Sequence, residues 1–213
     1  MQKIIFTLAT IVSLFFRTSV ALSQTYDVFL AGTEEQRKSP LFGKDAIPRE
    51  DGAIVFKKVY NLEDLSCEEI YNRAVNSLDK MFPKYMVNIT SQDEVNHILR
   101  GKGKFEFVYK RGKVMKFSFP YMITFDICIE CKEGRYRIIM NNFYIVDQES
   151  DYTSDASNYE FSDKVCLDKK GYVENSNAGC KRIGIIASYL YIPKYFSEYM
   201  SLPTRKKVNN DDW

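Results

Sequence analysis

Two of the five cysteines in this 213-residue chain, Cys128 and Cys131, have the C-x-x-C spacing of disulfide oxidoreductases. Such a redox motif lies at the start of a helix, but these cysteines fall in the most regular alternation of apolar and polar residues in the chain, which predicts a strand. Three residues of strand would place their Cα atoms about 10 Å apart and on opposite faces, whereas a disulfide spans at most about 7 Å. We therefore expect no thioredoxin-like chemistry here.

Two other cysteines, Cys166 and Cys180, flank a loop rich in Gly, Asn and Lys. A disulfide between them would stabilise the fold by about 3 kcal/mol, because it would restrict the unfolded chain. The sequence leaves this pairing open. With five cysteines, at least one has no partner within the chain.

The only histidine, His97, could serve in a catalytic triad or a metal site if a nucleophile or further ligands lay beside it. Nothing in the sequence places them there, so a structural role is favoured. Asp147, Glu149 and Asp151 alternate like calcium ligands, but the glycine and the final Glu of a calcium-binding loop are missing, which favours a solvated acidic loop. We predict no catalytic residue, no cofactor and no metal site.

One stretch concentrates positive charge, with Glu106 as its single acid. Its cations are Arg100, Lys102, Lys104, Lys110, Arg111, Lys113 and Lys116. Aromatic residues interleave with them, as in nucleic-acid-binding surfaces. However, strand alternation turns Phe105, Phe107 and Tyr109 to the face opposite the lysines, so they cannot form a stacking platform beside them. A solvated face that discourages edge pairing is favoured, and polyanion binding is the weaker alternative.

Residues 1–23 have the pattern of a secretory signal peptide. Lys3 precedes an apolar run of about 13 residues, short of the about 20 that a membrane-spanning helix needs. Ala21 and Ser23 fit the small-x-small cleavage rule and predict cleavage before Gln24. We expect a periplasmic or secreted protein whose mature chain has no transmembrane segment; a retained membrane anchor is the alternative.

Composition places the chain among ordinary globular proteins, since 45% of residues are hydrophobic and 27% are charged. This excludes disordered, collagen-like and coiled-coil proteins. The net charge is +2, and loss of Lys3 and Arg17 with the signal peptide would leave the mature chain near neutral. A neutral domain does not attract polyanions by its overall field, so any such partner requires a local patch.

The elements that would position these residues begin with a strand at 53–60, followed by a helix. Ser66 and Glu69 form the capping-box pattern at the helix start, and Pro83 is expected to end it. Apolar residues recur at helical spacing, so one face of the helix is predicted to be buried. Cys67 lies on that face, which favours a small core residue over a reactive thiol.

Four strands are predicted after the helix, at 85–90, 97–110, 115–129 and 135–146. Every odd position from Met115 to Ile129 is apolar, which indicates a sheet with one buried and one solvated face. Pro120 would divide the third strand or lie at a sheet edge. Gly101 and Gly103 on the inward side would allow a close helix or a bulge.

The predicted fold class is therefore α+β, an antiparallel sheet of about five strands with one main helix on one face, in the order β-α-β-β-β-β. A C-terminal helical segment, kinked or divided at Pro193, follows. The predicted organisation is a signal peptide at 1–23, a lead-in at 24–45, the α+β domain at 46–146, a polar acidic insertion at 147–182, and a helical segment with a tail at 183–213.

Three groups of residues carry a resemblance to a known family. They are Ile47 to Phe56 (IPREDGAIVF), Gly101-Lys102-Gly103, and Glu133 to Arg137 (EGRYR). In this order and spacing, residues 46–146 resemble domain of unknown function 4468, which is described as having a TATA-box-binding-protein-like fold and is common in exported proteins of Bacteroidetes. The resemblance implies the fold and export. It implies no reaction and no catalytic residues.

The first functional hypothesis is a non-enzymatic exported module that binds an envelope protein or a small ligand. An envelope enzyme, such as a hydrolase with a site formed by the C-terminal extension, is the alternative, and a cleft containing His97 or converging carboxylates would favour it. Nucleic acid is not an expected partner, because a signal peptide removes the protein from the cytoplasm.

Overall fold

A computed structural model describes residues 29–85, 87–111, 117–149, 153–156 and 162–201. The predicted signal peptide, Lys113 and Lys116 lie outside these residues. The strands are β1 Phe29–Ala31, β2 Arg49–Glu50, β3 Ala53–Ile54, β4 Phe56–Asn61, β5 Asn88–Asp93, β6 Ile98–Arg111, β7 Phe117–Lys132, β8 Arg135–Asp147 and β9 Thr153–Asp155. The helices are α1 Glu34–Lys38, a 3-10 turn Pro40–Phe42, α2 Cys67–Tyr85, α3 Asp163–Cys166 and α4 Asn177–Ser201.

Seven of these strands form one sheet in the order β1-β6-β7-β8-β4, with β5 also paired to β6 and β9 to β8. β2 and β3 form a separate two-stranded hairpin. The α+β class, the strand and helix order and the C-terminal helix are confirmed. The sheet is mixed, because the three-residue strand β1 runs parallel to β6. A strand as short as β1 or β9 contains too few residues for a two-residue period to stand out.

The hydrophobic core lies between α2, α4 and one face of the sheet, which we name the inner face. The odd positions of β7 from Tyr121 to Cys131 are all buried there, including Ile123 and Ile127. Phe117 departs from the predicted pattern, since 55% of its side chain is exposed at the start of the strand. Strand alternation sets only the direction of a side chain, and burial also needs a covering element.

Helix α2 begins with the predicted capping box. The backbone N–H of Ser66 donates to the Glu69 carboxylate at 3.0 Å, and the N–H of Glu69 donates to the Ser66 hydroxyl at 3.2 Å. The helix continues to Tyr85, so the expectation that Pro83 ends it is wrong. In the last turn a proline removes a single backbone hydrogen bond, which the helix tolerates.

Helix α4 is a single helix that contains Pro193, and it begins at Asn177, before the predicted start at Ile183. The expected division at Pro193 is therefore not observed. Gly179, Cys180 and Arg182 in its first turns are buried. Packing of this long helix against the sheet offsets the hydrogen bond that proline cannot donate.

The paired glycines of β6 face the core, as predicted, but neither makes room for a helix. A Cβ atom on Gly103 would overlap the ring of Phe125, which lies over it from the neighbouring strand. A Cβ on Gly101 would come within 2.7 Å of the carbonyl oxygen of Asn88, beside a register shift in β5. Gly101 therefore accommodates the predicted bulge, while Gly103 accommodates an aromatic ring.

Candidate functional site

The face of the sheet opposite the core forms a broad surface, which we name the open face. Its side chains alternate with the buried ones along each strand, and their neighbours follow from the strand register. The open face consists of Lys57 and Val59 on β4, Arg100, Lys102, Lys104, Glu106, Val108 and Lys110 on β6, Met122, Thr124, Asp126, Cys128, Glu130 and Lys132 on β7, and Arg135, Arg137, Ile139, Tyr144 and Val146 on β8.

One end of the open face is mostly apolar, although Glu106 and Lys110 of β6 lie beside its apolar side chains. Met122 lies opposite Val146, and Val108 lies beside Leu30 of β1. Two of these neighbouring side chains are well exposed, Leu30 at 41% and Tyr144 at 42%. Apolar side chains grouped on a sheet surface that no described element covers are characteristic of contact sites for other molecules.

The other end of the open face is cationic. Arg100 lies directly opposite Cys128, and Lys102 lies opposite Asp126. Arg137 donates two hydrogen bonds to the carboxylate of Glu130, and this ion pair is partly exposed. The cations outnumber the acids across the face as a whole, so the surface carries excess positive charge although the mature chain is expected to be near neutral.

A cleft of about 220 Å³ indents the cationic end beside the β7–β8 turn, and we name it the hairpin groove. Lys132 and Arg135 lie directly opposite each other on the two strands. The groove is lined by Val59, Glu130, Lys132, Arg135, Tyr136 and Arg137. Val59 is 54% exposed and provides an apolar wall. The groove does not include His97, and it contains one carboxylate rather than the pair of acids that glycoside hydrolysis uses.

The predicted basic patch is partly assembled on the open face. The structure places Arg100, Lys102, Lys104 and Lys110 together along β6, all of them exposed, while Arg111 ends the strand. The aromatic residues between them, Phe105, Phe107 and Tyr109, are buried on the inner face. The expectation that they form no stacking platform is confirmed. The predicted patch does not include Lys132, Arg135 and Arg137, because they belong to a different hairpin.

The other residues with reactive side chains do not converge. His97 precedes β6 with a φ of 53°, and its ring meets that of Tyr71 edge-on at 5.5 Å. Within the described ranges, no three His, Cys, Asp or Glu side chains are placed to hold a metal ion. Asp147 ends β8, and Asp151 lies outside the described residues.

The C-x-x-C cysteines lie on opposite faces of β7, as predicted. Burial raises the pKa of the Cys131 thiol to about 12, and burial also raises the pKa of Cys128. Both thiols are therefore poor nucleophiles near neutral pH. Cys166 ends α3 and Cys180 lies in the first turn of α4, both fully buried, and their pairing stays a prediction.

A buried arginine, Arg182, was not predicted from the sequence. Its Nη2 donates to the carbonyl of Gly43 at 2.6 Å, its Nε donates to the carbonyl of Phe42 at 3.1 Å, and Nη1 pairs with Asp163 at 2.8 Å. The side chain is 1% exposed, so this arginine joins three distant segments inside the protein. The signal was its position directly before the apolar residues Ile183, Ile185 and Ile186, but its acceptors are more than 100 residues away or in another helix.

None of the helices in the described part of the chain combines the length and the apolar composition that a membrane crossing requires.

No curated protein sequence matches the chain. A DUF4468 family protein from Bacteroides ovatus has a similar crystal structure, with a TM-score of 0.65 and 17% identity, over 82% of this chain and 99% of that chain. A TBP-like protein from Parabacteroides distasonis gives a TM-score of 0.47 at 17% identity, over 75% and 100% of the two chains.

The family model described as "Domain of unknown function (DUF4468) with TBP-like fold" matches residues 56–145, from the start of β4 to within β8. The match covers α2 and the three long strands that form the open face. It confirms the resemblance drawn from the sequence. Residues 56–145 therefore match the DUF4468 family model, and the chain has the TBP-like fold that this model describes.

Proposed function

We propose that this protein is an exported, non-enzymatic interaction module that binds an acidic protein partner through the open face. The observation that carries the proposal is the surface itself, in which one side of a seven-stranded sheet combines an apolar end with a cationic end. Protein interfaces commonly join an apolar centre to a polar margin, and complementary charge selects the partner and its orientation.

The charge of the open face favours an acidic partner over a neutral one. Asp126 already accepts a hydrogen bond from Asn142 at 2.8 Å, and Glu130 is paired with Arg137. The cations along β6 exceed the acids beside them. Acidic side chains of a partner would meet these cations while apolar side chains cover the region around Tyr144. A polypeptide can supply both, whereas a uniform polyanion supplies only charge.

The binding test uses poly-L-glutamate as an acidic polypeptide and measures its affinity for the mature chain at several salt concentrations. We expect saturable binding that weakens as salt rises, because salt screens exposed charges. The double variant Lys102→Glu with Lys104→Glu should weaken binding by at least about tenfold, since each reversal converts an attraction into a repulsion. Both residues are exposed, so the variant should keep its circular dichroism spectrum and unfolding midpoint.

A matched control places the same charge change elsewhere. Lys80 on α2 and Lys194 on α4 are exposed and lie outside the open face, so Lys80→Glu with Lys194→Glu should leave the affinity for poly-L-glutamate nearly unchanged. Equal loss in both double variants would contradict a defined surface. Tighter binding of heparin than of poly-L-glutamate at equal charge would favour the polyanion alternative instead.

Export is tested separately at the N-terminus. The chain should be processed when it is expressed with residues 1–23 in a bacterium that has a general secretion pathway. N-terminal sequencing of the exported protein should give Gln24 as the first residue, as the small-x-small pattern ending at Ser23 predicts. Recovery of the protein in the cytoplasm with Met1 or Gln2 at its N-terminus would contradict export.

A further inference from the structure

We propose that the hairpin groove is a binding site for a dianionic group, such as a phosphoryl group or a pair of neighbouring carboxylates. This inference deepens the proposed function and rests on it for the nature of the partner. It assigns a specific contact to the groove, which is separate from the β6 cations. The groove has a volume of about 220 Å³, a size suited to a small anionic group rather than to a whole drug-sized ligand.

The arrangement of charge in the groove supports this assignment. Lys132 and Arg135 occupy directly opposite positions on β7 and β8. Like charges in this cross-strand relation repel each other and destabilise the sheet. A pair of like charges that destabilises the free protein is expected at an anion-binding site, because a bound anion removes the repulsion between the two cations.

The charge balance specifies the class of ligand. Three cations line the groove, namely Lys132, Arg135 and Arg137, and Glu130 is the single acid among the lining residues. Glu130 already neutralises Arg137 through two hydrogen bonds. Lys132 and Arg135 are the two lining cations that Glu130 does not neutralise, so a ligand with two negative charges would match them. The guanidinium of Arg135 can donate two parallel hydrogen bonds to an oxyanion, while Lys132 contributes a point charge.

The adjoining hairpin turn gives the site a fixed support. The carboxylate of Glu133 accepts a hydrogen bond from the backbone N–H of Cys67 at 3.0 Å. The carbonyl of Gly134 accepts one from the N–H of Leu62 at 2.7 Å, and the N–H of Gly134 donates to the carbonyl of Leu65 at 3.1 Å. These bonds attach the turn to the start of α2, so the strand ends that carry Lys132 and Arg135 are held in position. A preformed site loses less conformational entropy when a ligand binds.

The test is isothermal titration of the mature chain with inorganic phosphate and, separately, with succinate, at constant ionic strength set by sodium chloride. We expect saturable one-site binding of at least one of these dianions, with acetate binding at least about tenfold more weakly. Saturation by phosphate alone would identify a phosphoryl-type ligand, and saturation by succinate alone would identify paired carboxylates.

Substitutions in and outside the groove test whether the dianion binds there. Lys132→Ser and Arg135→Ser should each weaken dianion binding by at least about tenfold, while Lys104→Ser, which removes a cation from the same face outside the groove, should leave it unchanged. In chloride buffer alone, Lys132→Ser should keep or raise the unfolding midpoint, because it removes a like-charge contact.

Absence of saturable binding by the folded chain would overturn the proposal, as would equal weakening in Lys104→Ser. The outcome is independent of the poly-L-glutamate test. If the Lys102 and Lys104 charge reversals leave poly-L-glutamate binding intact while Arg135→Ser still abolishes dianion binding, the proposed function fails and the groove site stands. The reverse pattern would reject the groove and retain the open face as a binding surface.

Discussion

Replacement of Arg182 by alanine is expected to lower the free energy of unfolding by about 4 kcal/mol, the largest effect of any single substitution that we predict. The guanidinium is 1% exposed and binds Asp163 and the carbonyls of Phe42 and Gly43. Asp163 is 38% exposed and can be solvated by water, so most of the loss comes from the carbonyls left without donors, at about 1–3 kcal/mol each, and from the cavity that the truncated side chain leaves. Urea denaturation followed by circular dichroism measures the change.

Two further variants keep this prediction testable. Arg182→Lys retains the charge but cannot reach all three acceptors with one ammonium group, so it should lose about 2 kcal/mol and still fold. Arg49→Ala is the matched control, since the exposed Arg49 also donates to a backbone carbonyl, that of Gly52 at 2.9 Å. It should cost less than about 1 kcal/mol. Similar midpoints for Arg182→Ala and Arg49→Ala would show that the buried contacts do not stabilise the fold.

A valine at position 103 is expected to destabilise the protein by about 3 kcal/mol, the second-largest effect. Gly103 is buried in the middle of β6, and the ring of Phe125 occupies the space that a Cβ atom would need. Phe125 is itself 2% exposed and packs against Phe143 with ring centroids 6.0 Å apart, so its ring has little room to move. Overpacking of a dense core commonly costs about 1–3 kcal/mol.

A double-mutant cycle tests whether the loss in Gly103→Val comes from a clash with Phe125. Phe125→Leu alone should destabilise the protein because it leaves a cavity, but in the Gly103→Val background the smaller side chain should restore part of the loss. We expect a favourable coupling of at least about 1 kcal/mol between the two positions. As a comparison, Gly52→Val replaces a glycine that has no atoms near the added Cβ, and its cost comes from its φ of 85° rather than from packing. Additive losses at 103 and 125 would contradict the steric account.

The edge strand β4 carries charge that resists self-association, since Lys57 and Lys58 discourage pairing with a second sheet. Lys57 also pairs with Glu50 at 2.7 Å, which ties the small β2–β3 hairpin to the edge of the main sheet. Cationic side chains on this face can thus serve partner selection and solubility together.

Local patterns in the sequence were sufficient for the helix start and for the direction of most side chains. The Ser66 and Glu69 capping box acts within one helical turn, and the alternation in β7 acts between residues that are neighbours in the chain. For this reason Phe105, Phe107 and Tyr109 were correctly placed away from the lysines. Phe117 shows the limit of such patterns, because its exposure depends on where the covering helices end.

The sequence by itself determined that the protein is α+β, that its long strands have one apolar and one polar side, and that residues 46–146 resemble a known family. Only the tertiary structure decided that Lys132 meets Arg135 and Arg137 in one groove, that Phe125 lies over Gly103, and that Arg182 binds a segment about 140 residues earlier in the chain. Backbone geometry and capping are governed by neighbouring residues and can be predicted from local patterns. Contacts between distant segments depend on strand register and helix packing, which arise only when the whole chain has folded.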